Sequence, residues 1–73
     1  MTFEKIAQII AENKDMEIAD ITLETTFDDM ELDSLDVIEV VMAIEEAFGI
    51  TMEIGDDVKT IDDLVKLVDS LVQ

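Results

Sequence analysis

The sequence predicts an all-α fold, a small up-and-down bundle of three main helices plus one short helix. Three observations carry this expectation. Apolar residues recur at helical spacing in three separate segments, and no segment shows the alternation of a half-buried strand. The chain contains no proline, internal repeat or low-complexity tract to break these segments. Hydrophobic residues make up 49% of it against 33% charged, a balance that fills a core and excludes a disordered acidic tail. At 73 residues there is enough chain for one compact core and too little for two, so residues 1–73 are expected to form a single domain of modest stability.

Each element has its own justification. Phe3, Ile6, Ala7 and Ile10 follow the i, i+3, i+4, i+7 pattern behind Thr2, which reads as an N-cap, and this first helix is expected to fade near Asn13. From Lys14 to Asp33 no helical period is sustained; Ile18, Ile21, Leu23 and Phe27 are spaced to pin a long loop onto the core. A second helix is expected from about Ser34 to Phe48, stopped by Gly49 at the position after a helix where glycine is favoured. The segment Gly55 to Lys59 has room for only a turn or so. The last helix opens with "TIDD", in which Thr60 and Asp63 suit a capping box, and carries Ile61, Leu64, Val65, Val68 and Val72 on one face.

Charge and missing residue types narrow the function. Twenty acids against four lysines leave a net charge of -16, which repels nucleic acid and anionic lipid surfaces and attracts partners with basic patches. Cysteine is absent, and with it disulfides, thiolate chemistry and thiol metal sites. Nothing at the N-terminus reads as a signal peptide or transmembrane run, so a cytoplasmic protein is expected. Histidine is absent as well, and a serine nucleophile needs a neighbouring base to take its proton. Ser34, in the stretch "ELDSLDVIEV", has carboxylates for neighbours, and the four lysines lie at 5, 14, 59 and 66. Its hydroxyl therefore reads as a substrate or attachment point, activated from outside.

The second helix has two apolar faces when projected at about 100° per residue. Val37, Val40, Val41, Ile44 and Phe48 share one arc and form a core stripe. Leu35, Ile38 and Met42 share a second, roughly 140° away, with Glu39 and Glu46 on one flank and Glu45 on the other. A neighbouring helix covering that stripe is the plain alternative, but an apolar centre inside an acidic rim is how a partner-binding surface looks. Asp33 and Asp36 are explained by capping and by the helix dipole alone. A calcium loop from Asp28 to Glu39 fails, because Met30 and Leu32 fall where oxygen ligands are needed and Asp33 where glycine is. Carboxylate pairs are abundant by chance in so acidic a chain, and no cleft-forming second layer is expected, so an enzyme is not expected.

"DSLDVIEVVMAIEEAFGI", Asp33 to Ile50, resembles the second-helix region of acyl carrier proteins, in which Asp-Ser-Leu marks the modified serine. The likeness continues in "TLETTF" before it and "VKTIDDLVKLV" after it, covering nearly the whole chain. The resemblance implies that Ser34 receives 4'-phosphopantetheine from coenzyme A through holo-ACP synthase or another phosphopantetheinyl transferase. The arm's thiol would then carry acyl groups as thioesters between enzymes of fatty-acid or related synthesis. By the same resemblance Asp33 helps the transferase place its metal and coenzyme. Leu35, Asp36, Ile38, Glu39, Met42, Glu45 and Glu46 form the recognition surface for acyl-transferring and synthase enzymes, and the domain works as a monomer without a metal site of its own. Ile44, Val58, Ile61 and Leu64, which share an interior phase, are the expected acyl pocket. D-alanyl, aminoacyl and polyketide carriers are the nearest rival readings; an unmodified acidic helical adaptor is a more distant one. Two departures stand out. Glu31 replaces a glycine common in the family, so a backbone conformation reserved for glycine is not expected there. "EIGDDVKT" is short and has Gly55 in place of proline, which cuts the family's third helix to about one turn.

Overall fold

A computed structural model of the chain describes residues 2–55 and 57–72. Among them the order is α1 (Thr2–Lys14), a 3-10 turn (Ile18–Asp20), α2 (Ser34–Phe48) and α3 (Ile61–Val72), with no strand. α1 packs against both α2 and α3. Its stripe of Ile6, Ala7, Ile10 and Ala11 meets Val40 and Ile44 of α2 and Ile61, Leu64 and Val68 of α3 in one buried cluster. The all-α bundle expected from the periodicity is therefore the fold observed.

Local sequence explains where the helices start and stop. Asp33 accepts from the Asp36 N–H at 3.0 Å, and Asp36 accepts from the Asp33 N–H at 3.2 Å, a reciprocal capping box at the head of α2. Gly49 ends that helix in the left-handed conformation, at φ 67°, with the Ile50 N–H returning to the Glu45 carbonyl. Thr60 and Asp63 form the expected box at α3, at 3.1 and 3.2 Å. Thr2 is not the N-cap the sequence suggested; it lies inside α1, and its hydroxyl donates to Asp69 of α3. Val72, expected on the core face of α3, is instead 48% exposed. α1 continues to Lys14 and closes on Asp15 at φ 57°, with the Met16 N–H on the Ala11 carbonyl.

The loop from 15 to 33 is pinned differently from expectation. Ile21 and Met30 are buried and Phe27 is partly so, but Ile18 and Leu23 are exposed at 52% and 43%. Leu23 contributes its backbone instead. Its carbonyl accepts from Asp62 N–H and that of Thr25 from Ile61 N–H, each at 2.9 Å, which satisfies donors that the first turn of α3 cannot satisfy itself. A Thr26–Thr60 antiparallel bridge completes the seam.

Glu31 reverses an expectation outright, because it sits at φ 57° in the left-handed region that favours glycine. Residues 27–32 make a single tight turn closed by Leu32 N–H on the Phe27 carbonyl at 3.1 Å, and such a closure requires a left-handed residue at its penultimate position. Between Gly55 and Lys59 there is no helix among the described residues, only a turn in which the Val58 N–H meets the Gly55 carbonyl at 3.1 Å; Asp56 lies outside the described residues. The short helical piece of this fold is Ile18–Asp20.

Candidate functional site

Ser34 is the first residue of α2 and is exposed. Asp33 before it has extended backbone, at φ -88° and ψ -174°, so the chain enters the helix abruptly and leaves the serine at the helix's positive end. A cleft of about 680 Å³ opens beside it, lined by Ser34 and Asp33 and walled by Phe27, Leu32, Val37, Val41, Ile54 and Val58 among others. Its apolar walls come from the 27–32 turn on one side, α2 on the second, and the 50–58 segment on the third. That segment is tied to α2 through Glu45, whose carboxylate accepts the Met52 N–H at 2.8 Å.

The residues expected at the recognition surface lie along the open face of α2. Leu35, Ile38 and Met42 are 71%, 54% and 60% exposed, and no described helix covers them. Glu39 and Glu46 are exposed on the flank. Asp36 and Glu45 are partly committed within the chain: Asp36 to the capping box and to Lys14 at 2.8 Å, Glu45 to Met52. The hydrogen bond from Lys14, followed by the Asp33 N–H, holds the Asp36 carboxyl below its ordinary range. Asp36 and then Glu39 hold the Lys14 ammonium above its own, against the cost of desolvation. Sequence reasoning missed Lys14 because it is 22 residues from Asp36 and only the packing of α1 on α2 brings them together.

The four residues expected to line an acyl pocket divide. Val58 borders the cleft. Ile44, Ile61 and Leu64 do not; all three are fully buried in the core cluster. Helical phase places them inward correctly, but it does not say that inward at these levels means toward α1. The apolar walls the sequence did not reveal, Phe27, Leu32 and Ile54, lie in loops without periodicity to mark them.

An exposed serine at the head of an acidic helix, beside an apolar cleft in an all-α fold, has the make-up of a carrier domain. Comparison with known proteins gives that class a family. Residues 4–68 match the family described as "Phosphopantetheine attachment site", and the chain belongs to it. Similar proteins include the acyl carrier protein of Streptococcus pneumoniae serotype 4, 46% identical over 67 residues that cover 92% of this chain and 90% of that one. That of Streptococcus pyogenes serotype M1 is 48% identical over the same shares. That of Lactococcus lactis subsp. cremoris is 38% identical over 68 residues, 93% of each chain. Membership makes this a carrier, not an enzyme, bearing covalent 4'-phosphopantetheine installed by a phosphopantetheinyl transferase. The site's chemistry fits that group: a phosphate ester suits the positive end of a helix, and an apolar cleft adjoins the hydroxyl. No helix among the described residues is long and apolar enough to cross a membrane.

Proposed function

We propose that the chain is an acyl carrier in fatty-acid or related synthesis and that Ser34 is its attachment residue. The carrying observation is the exposed position of Ser34 at the head of α2, where it borders an apolar cleft and adjoins the exposed Leu35–Ile38–Met42 stripe. When attached, the prosthetic arm supplies a thiol that holds acyl groups as thioesters, chemistry the cysteine-free chain lacks. Asp33 is exposed beside Ser34 and helps a transferase place its metal and coenzyme. Leu35, Ile38 and Met42, rimmed by Asp36, Glu39, Glu45 and Glu46, receive acyl-transferring and synthase enzymes that present basic patches. The domain acts as a cytoplasmic monomer, a reading supported by its charge of -16, which opposes self-association.

The cargo lodges in the cleft against Val41, Ile54 and Val58, and each methylene leaving water there gains about 0.8 kcal/mol. Ile44, Ile61 and Leu64 join the pocket only if the bundle parts to admit a longer chain. Amide shifts in the octanoyl form relative to the holo form test this: changes at Val41, Ile54 and Val58 support it, and changes confined to the neighbours of Ser34 refute it.

Attachment is tested by intact mass after incubation of the purified chain with coenzyme A and a phosphopantetheinyl transferase. The wild type gains one arm, and Ser34→Ala, with unchanged helical circular dichroism, gains none. An alanine variant that still gains the arm places the site elsewhere, and a wild type that never gains it sinks the carrier reading.

A further inference from the structure

Lys14 ends α1, yet its side chain lies across the acidic flank of α2. Its ammonium is 2.8 Å from Asp36 Oδ1 and 3.3 Å from Glu39 Oε1, and the side chain is only 14% exposed. Of the other three lysines, Lys5 stands over the Phe48 ring at the far end of α2 at 5.6 Å, Lys66 pairs with Asp62 at 3.2 Å within α3, and Lys59 makes no ion pair among the described residues. Among the described residues Lys14 is therefore the one cation paired with carboxylates of α2. Asp36 is one turn or less from Ser34, and Glu39 one turn beyond it, so the neutralised stretch is the serine-proximal part of the rim. Glu46, exposed two turns further along, has no such partner among the described residues.

We propose that Lys14 is a specificity-determining residue of the docking face: it occupies in advance the place a partner's lysine or arginine takes at Asp36 and Glu39. The inference rests on the reading of the exposed α2 face as a docking surface. A basic partner must exchange its own cation for Lys14 to engage the serine-proximal acids, whereas Glu46 is open from the outset. Partners whose basic residues fall opposite Glu46 are favoured over those that depend on Asp36 and Glu39. The attraction that α2 exerts near Ser34 is lower than its acid count suggests, and the excess charge of the chain is felt further along the helix. Closing the α1 end with a cation is also favourable to the helix dipole, which explains a lysine at that position but not its reach to two carboxylates on another helix.

The test uses the intact chain and a short oligolysine peptide, with binding followed by amide shifts at low salt. Lys14→Met keeps the aliphatic stem and removes the charge. It is expected to bind the peptide about threefold more tightly than wild type, the size of one exposed ion pair, with new shift changes at Asp36 and Glu39. The difference closes as salt approaches about 1 M, where charges act over roughly 3 Å. Lys14→Arg restores the cation and binds as wild type does. Lys14→Gln, measured per folded molecule, repeats the comparison if the methionine variant folds poorly. Equal affinity and an equal α2 footprint in Lys14→Met and wild type overturn the proposal and make Lys14 a clasp between helices. A Lys14→Arg variant that behaves like Lys14→Met also overturns it, since charge is then not the cause. A footprint off α2 in every form refutes instead the docking surface on which the proposal rests.

Discussion

Replacing Glu31 with glycine is expected to stabilise the fold, although it removes a side chain. Glu31 holds φ at 57°, where a β-carbon crowds the following carbonyl at a cost of about 1–2 kcal/mol. The side chain is exposed, so no core packing is lost with it. Glycine gives back part of the gain, about 0.5–1 kcal/mol, through the greater freedom of the unfolded chain. The balance is a stabilisation of about 0.5–1 kcal/mol, which for a domain of this size raises the melting temperature by roughly 2–8 °C. Removing one acid from a chain of charge -16 adds a smaller increment, and Glu31→Gln measures that increment alone because it keeps the β-carbon. Asp15, at the same φ, should gain less from glycine because aspartate tolerates the left-handed region better. The assay is thermal unfolding followed by circular dichroism. If Glu31→Gly melts no higher than Glu31→Gln, the backbone at residue 31 carries no strain and the reasoning fails.

Two further outcomes separate surface from core and fix the pH profile. Ile44→Ala, in the closed core, should lose about 2–5 kcal/mol, while Met42→Ala should hold its melting temperature and speed dissociation from a partner enzyme; equal losses of stability would make the α2 stripe core. Asp63 is held below the ordinary aspartate value of 3.8 by the Lys59 and Thr60 N–H groups, and Asp36 by Lys14. Depressed carboxyls stabilise above their unfolded values and lose that contribution as pH falls through their folded ones, so Asp63→Asn should flatten the fall in urea-measured stability below about pH 4. Lys14, raised above 10.5 chiefly by Asp36, loses its contribution as pH rises through its folded value and keeps it at lower pH only until Asp36 is protonated.

What could be read from the sequence was what neighbouring residues decide. The start of α2 follows from Asp33 as N-cap, its end from Gly49, and the start of α3 from the Thr60–Asp63 box, each signal lying within a few residues of the boundary it marks. The exposed stripe of Leu35, Ile38 and Met42 followed from helical phase, as did the inward direction of Ile44, Ile61 and Leu64. Phase failed to say what lies opposite. Val37 and Val41 face the 50–58 segment and wall the cleft, while Ile44 faces α1, and only the packing distinguishes them. Glu31 misled because its conformation is imposed by the closure of the 27–32 turn, not by its own preference. Lys14 was silent for the opposite reason: a lysine at a helix end is ordinary until the packing sets two acids beside it.

Whether Ser34 carries an arm loaded with an acyl thioester is decided on protein purified from its native cells. Intact mass before and after hydroxylamine, with fragmentation to locate the modification, is the measurement. One phosphopantetheine on Ser34 is expected, with a further acyl mass that hydroxylamine removes and whose size names the cargo. An unmodified chain, an arm on another residue, or a mass that hydroxylamine leaves unchanged in every fraction would contradict this expectation.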